Sequence, residues 1–241
     1  AVVDDLIIDL RYNGGGSTNT AGFLGSMITG QFPGQVYSKE VWNRKVTNAF
    51  SPEDFINNFP TRIIKTDGNN EVVIDEAINS LKLERVYFIV TGSSASASEL
   101  VMNSLNAHIE VNVIGSKTVG KQVGSITLYD SDNLQRTGEN LNTNHTYAMQ
   151  PLVLEIKNKD DINFPNGIIP GTNFMGIELP EDIGDLGTLG ERSDPLLEKT
   201  LNFIATGEKT FSRKANVINS EIIFNSKLAT PAGNNMYSEL K

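Results

Sequence analysis

A chain of 241 residues, 39% of them hydrophobic, is long enough to bury one substantial core. Its net charge of -9 at pH 7, spread over many segments, argues against an electrostatic grip on nucleic acid or anionic lipid and leaves a polypeptide partner open. Cysteine is absent, which excludes a disulfide framework, a zinc-thiolate site and a cysteine nucleophile, and no apolar run reaches the roughly 18 residues of a membrane span.

The chain opens on a strand-like run, Leu6-Ile7-Ile8-Asp9-Leu10, followed by the turn Arg11-Tyr12-Asn13-Gly14-Gly15-Gly16. Residues 17–29 read as a helix, with Ala21, Leu24 and Ile28 on one face and Ser17 or Thr18 as N-cap. Pro33, Pro52 and Pro60 mark residues 31–70 as an irregular insertion carrying one short ribbon over 36–42. The clearest buried strand is Arg85-Val86-Tyr87-Phe88-Ile89-Val90, followed by a helix over 98–108 and a further strand over 111–114. Alternating strand and helix predict an α/β core of mainly parallel strands. Runs 125–129 and 147–156 predict an added antiparallel hairpin, and Asp194-Pro195 opens a final helix reaching about residue 205. We expect one main domain over 1–206 and a weakly patterned tail over 207–241.

The segment Ser94-Ala95-Ser96-Ala97-Ser98-Glu99 lies between a buried strand and a helix, where a turn of small residues exposes a hydroxyl beside free backbone amides. Ser96 and Glu99 also fit a capping box, which would need no chemistry at all. A nucleophilic serine requires a base, and the two histidines are badly placed. His108 is at the far end of the helix that Ser96 begins, His145 is in a polar loop, and both read as surface residues. Lysine can serve if burial favours its neutral amine. Lys121 closes the turn Gly115-Ser116-Lys117-Thr118-Val119-Gly120, just after the strand expected to pair with residues 85–90. That turn matches the first seven positions of a phosphate-binding G-x-x-x-x-G-K loop, but Gln122 stands where such a loop needs Ser or Thr, and a β pattern follows instead of a helix. The glycines at 14–16 suit a tight turn and also let backbone amides approach an oxyanion.

Together these segments resemble the C-terminal-processing, or tail-specific, serine peptidases, which show D-L-R-x-N-x-G-G, S-A-S-A-S-E and G-x-K-T-x-G-K in this order. The resemblance makes Ser96 the nucleophile and Lys121 the base, 25 residues apart. It implies an oxyanion hole from the Ala97 amide with Gly14 or Gly15, and a crotonase-like, Clp-protease-like fold. Gly167-Ile168-Ile169-Pro170 and Asp194-Pro195 resemble the closing motifs, so the likeness covers residues 4–206. Family members often carry glutamine four residues beyond the lysine; here that position is Ser125, and either Gln122 or Ser125 is the candidate to orient Lys121. No segment reads as a PDZ domain, and the abrupt opening predicts that N-terminal elements are missing. The implied reaction is hydrolysis of a polypeptide near its C-terminus, without metal or cofactor, in the periplasm or cell envelope. A non-catalytic protein binding a peptide or apolar ligand on the same fold is the rival, and an acyl-CoA enzyme of the wider crotonase group a weaker third. The dyad reading further expects the Lys121 amine within hydrogen-bond reach of Ser96, Glu99 as a cap turned from that amine, and Lys117 in a structural or surface role.

Overall fold

In the computed structural model the described residues are 3–67, 71–209, 223 and 236–237, so most of the tail expected over 207–241 lies outside them. In chain order the elements are β1 (Ile7–Asp9), α1 (Thr18–Ile28), β2 (Val36–Trp42), α2 (Arg44–Thr47), β3 (Ile56–Asn58), β4 (Arg62–Thr66), β5 (Val72–Ala77), β6 (Arg85–Val90), α3 (Ala97–Asn106), β7 (Glu110–Gly115), β8 (Val123–Ser125), β9 (Leu152–Lys157), β10 (Met175–Glu178), α4 (Pro195–Thr206) and β11 (Met236–Tyr237), with a 3-10 turn at Pro52–Phe55. None of the described helices is long and apolar enough to cross a membrane.

Strands β1, β6, β7 and β10 form an all-parallel sheet in the order β1-β6-β7-β10. The period-two geometry of a strand sends successive side chains to opposite faces, and β6 fills both. Val86, Phe88 and Val90 join Leu100, Met102 and Leu105 of α3 and Ile28 of α1 in the larger core. Tyr87 and Ile89 pack on the other face with Leu196 and Phe203 of α4. Helices therefore cover both faces of this sheet, as its unbroken apolar strands require.

A second sheet, ordered β11-β8-β9-β2-β3, adds Leu154 and Ile156 to the larger core. Its β8–β9 pair is antiparallel, as expected for the added hairpin, but shorter than its sequence runs, and between the two strands only the isolated Leu128–Met149 bridge continues the pairing. The insertion departs further from its reading. Besides β2 it holds β3, the 3-10 turn and β4, and β4 pairs with β5 in a separate two-stranded hairpin. Ile64, Val72, Val73 and Ile74 are all exposed there, so no polar-apolar alternation marks the strands.

Parallel pairing also determines where the turns fall. Asp9 is level with Ile89, and Val90 with Gly115, so β1, β6 and β7 end at one edge of the sheet. The turns that follow, at residues 10–16, 91–96 and 116–121, consequently gather at the carboxyl edge, where open α/β sheets place their ligands.

Candidate active site

Small side chains and main-chain hydrogen bonds join these three turns. Ser94 Oγ donates to the Leu10 carbonyl at 2.7 Å, the Ala95 amide to the Asn13 carbonyl at 3.0 Å, and the Val119 amide to the Ser94 carbonyl at 3.1 Å. Ser98 Oγ donates to Asn13 Oδ1 at 3.0 Å, and that same oxygen accepts the Gly15 amide at 2.9 Å. Gly15 has φ +97° and faces the turn at 91–96 so closely that a Cβ there would be 2.6 Å from both Ser96 Cβ and the Ala97 nitrogen. Only glycine fits that conformation and that gap.

Ser96 precedes α3 with φ 65° and ψ -119°, a conformation rare for a residue with a side chain and a mark of local strain. The residue is fully buried. Its amide donates to Glu99 Oε2 at 2.8 Å, one half of the expected capping box. The other half is weak: Oγ stands toward the start of the helix but has no hydrogen-bond partner among the described residues. Ser96 and Glu99 thus have the placement of a capping box, with the Glu99 half carrying the hydrogen bond. Ala97, next to it, is the first residue of α3, so its amide has no acceptor within the helix.

Glu99 does more than cap. Its fully buried carboxylate accepts the Ser96 and Lys121 amides on Oε2, each at 2.8 Å, and the Gly120 amide at 2.7 Å and the Thr118 hydroxyl on Oε1. Four donors compensate the burial of its charge. One side chain thus fastens the turn at 91–96 to the lysine turn. From behind, Thr118 Oγ1 accepts the Ile168 amide at 2.8 Å, and Gly120, with φ +88°, packs so near the 165–167 loop that a Cβ would be 2.4 Å from the Gly167 nitrogen. The segment 167–170 is therefore a brace for the lysine turn.

Lys121 is partly buried, and burial lowers its pKa from the ordinary value of 10.5. The carboxylate of Glu99 is engaged with the Lys121 main chain. The Lys121 amine makes no hydrogen bond to Ser96 Oγ in this arrangement, in contrast to the reach expected from the sequence. The two turns are fixed through Glu99 and main-chain bonds, and catalytic contacts in unliganded sites are often long. Lys117, by contrast, is exposed.

The two residues proposed to orient Lys121 are both buried and engaged elsewhere. Gln122 Oε1 accepts from Asn103 Nδ2 at 2.9 Å, and Ser125 Oγ donates to the Met236 carbonyl at 2.8 Å. Of the oxyanion candidates, Ala97 and Gly15 line one cleft, with the Gly15 amide already given to Asn13, and Gly14 is the buried residue before Gly15. His145 pairs with Asp130 at 3.2 Å, away from these turns. His108 is partly exposed: its ring packs on Phe32 and Phe59 with centroids 4.8 and 4.9 Å away, Nε2 is 2.9 Å from the Val36 carbonyl oxygen, and burial lowers its pKa.

Sequence reading missed a second junction. Arg11, from the first motif, binds Asp9 and both oxygens of Asp194, with Glu181 3.5 Å away. Asp9, first among these partners, raises the guanidinium pKa far above its ordinary range. The ends of the likeness, Asp9-Leu10-Arg11 and Asp194-Pro195, therefore meet in space. Nothing in their 183-residue separation reports it.

A family model described as peptidase family S41 matches residues 1–152. No curated protein matches the chain significantly. Among solved structures the chain is similar to a protein from Bacteroides fragilis assigned to the S41 proteases, with 21% identity, a TM-score of 0.61, and coverage of 85% of this chain and 45% of that one. It is also similar to a photosystem II D1 C-terminal processing protease, with 16% identity, a TM-score of 0.46 and coverage of 85% and 39%, and to a lipoprotein from Streptococcus agalactiae, with 14% identity, a TM-score of 0.48 and coverage of 85% and 55%. The chain spans less than half the length of the first of these, and at 21% identity the likeness speaks for a shared α/β fold.

Proposed function

Since the chain belongs to peptidase family S41, we propose that it carries the catalytic part of a serine endopeptidase in which Ser96 is the nucleophile and Lys121 the general base. Ser96 Oγ forms a bond to the scissile carbonyl carbon as its proton passes to the Lys121 amine. That amine then protonates the departing amide nitrogen as the C–N bond breaks. Water, deprotonated by the same lysine, hydrolyses the acyl-serine. The Ala97 amide and the Gly14 amide receive the oxyanion, while Gly15, whose amide is bonded to Asn13, keeps the space beside Ser96 open. By the family resemblance the substrate is a polypeptide cut near its C-terminus, and the location is the periplasm or cell envelope.

One observation carries this reading: the buried Glu99 carboxylate binds the backbone amides of both Ser96 and Lys121, so the two turns that hold the chemistry are built as one unit. Burial pushes the Lys121 pKa down, the direction a base requires. The rival, a non-catalytic peptide- or apolar-ligand-binding protein, draws on Ser96 Oγ having no hydrogen bond. Hydrolysis of an unstructured polypeptide, with Ser96→Ala as control and mass mapping of a phosphonate adduct, decides between them. An adduct on Ser96 and turnover lost in the variant support the peptidase; binding without an adduct or turnover supports the rival.

A further inference from the structure

Strand β11 lies beside the site that the preceding reading makes catalytic. Met236 and Tyr237 pair in parallel with Gly124 and Ser125 of β8, the strand that begins two residues beyond Lys121. On its other side Tyr237 forms a parallel bridge to Ser17. The Tyr237 amide donates to the Gly16 carbonyl at 3.2 Å, Ser125 Oγ to the Met236 carbonyl at 2.8 Å, and Thr18 Oγ1 to the Tyr237 carbonyl at 3.3 Å. Met236 is fully buried in the larger core, whereas Tyr237 is 40% exposed and lines a cleft together with Gly15, Ala97 and Ser98.

This is the way a sheet edge recognises an extended peptide. Main-chain bonds on both sides supply affinity without regard to sequence, and a pocket for one side chain supplies selectivity. The bonds that hold Tyr237 come from the glycine turn and its following residues, next to Ser96, and the bond that holds Met236 comes from Ser125. Ser125 thus has a contact that ties it to whatever lies on the β8 edge.

We propose that the β8 edge facing residues 15–18 is a binding groove for an extended polypeptide, that the socket around Met236 selects an unbranched apolar side chain, and that Met236–Tyr237 is an internal occupant which the incoming chain displaces. The role of the groove as a substrate site rests on the peptidase reading; its capacity to bind peptide does not. An occupied groove lowers apparent affinity in proportion to the fraction of molecules in which it is open.

The test uses the full chain carrying Ser96→Ala, so that nothing is hydrolysed, and a fluorescent peptide with the sequence of residues 233–240 read by anisotropy. Adding Met236→Asp, whose charge the apolar socket rejects, should tighten peptide binding by about tenfold or more, as when an occupant filling some nine-tenths of the grooves is removed. The chain has no cysteine, so Ser17→Cys with Tyr237→Cys gives a second, reversible probe. The oxidised form should bind the peptide about tenfold more weakly than the reduced form. Equal affinity in the oxidised and reduced forms means that β11 is a fixed strand and overturns the proposal; if Met236→Asp fails to fold, this pair decides alone. The dyad is judged separately, by phosphonate labelling of the chain with Ser96 intact. Absent labelling with peptide competition preserved sinks the dyad and keeps the groove; normal labelling without competition sinks the groove and keeps the dyad.

Discussion

Helices α3 and α4 begin in opposite ways. At the start of α4, Asp194 is extended at φ -70°, its Oδ1 accepts the Leu196 and Leu197 amides at 3.1 and 3.3 Å, and its carboxylate pairs with the buried Arg11. At the start of α3, Ser96 is strained at φ 65°, its amide is held by Glu99, and its hydroxyl bonds nothing among the described residues. Both sequences read as N-caps. One terminus commits the Asp194 carboxylate to the fold, and the other has its backbone fixed by neighbours while the Ser96 hydroxyl is left unbonded among the described residues. A helix start of the second kind is where chemistry is expected, because strain and an unmet hydroxyl persist only when surrounding bonds impose them.

Substitutions at the two termini should therefore separate activity from stability. The largest effect belongs to Ser96→Ala and Lys121→Ala, each expected to lower turnover of a polypeptide by at least about 10³-fold with the folded circular dichroism spectrum retained. Asp194→Ala should cost about 3 kcal/mol in urea unfolding, since it leaves Arg11 with Asp9 and Glu181 only and removes the cap of α4. Glu99→Gln weakens charge-assisted bonds to three amides and a hydroxyl, so a loss of about 1–3 kcal/mol is expected. The pH midpoint of Ser96 reactivity should stay in place, because burial lowers the lysine pKa and the Glu99 carboxylate is engaged with main-chain amides.

The smallest effect has the opposite sign. A lysine whose pKa is lower folded than unfolded costs stability below its folded pKa, and that cost fades as pH rises toward 10.5. The native chain should therefore gain about 1–2 °C in melting temperature relative to Lys121→Met between pH 7 and pH 10.5. A difference between the two chains that stays constant over that range would mean that the fold does not distinguish the ammonium from the neutral amine.

Much of this organisation was legible because local rules and global fold agree. The unbroken apolar run within residues 85–90, the Ser17 and Asp194 caps and the three glycine-bearing turns are short-range patterns, and parallel pairing brings the turns together once the strands exist. The missing parts have other causes. Strand β10 spans four residues around Gly176, whose φ of +134° and close approach to Val113 leave no periodicity to read. Strand β11 depends on a partner more than a hundred residues earlier in the sequence. The meeting of Arg11 with Asp194, and of Glu99 with the Lys121 amide, are long-range bonds whose local sequences already had a sufficient explanation as turn and cap. The ring contacts of His108 were not legible because Phe32 and Phe59, which pack on it, arrive from the insertion.

The most direct test of the dyad is the rate at which an activated phosphonate phosphonylates Ser96 across the pH range, compared between the native chain and Lys121→Ala. The expected native rate rises with pH through a midpoint below 10.5 and stays high on the alkaline side, following the neutral amine. The folded Lys121→Ala chain should react at least about 100-fold more slowly and lose that midpoint. A folded Lys121→Ala chain that labels at the native rate, with the same pH profile, would contradict the assignment of Lys121 as the base.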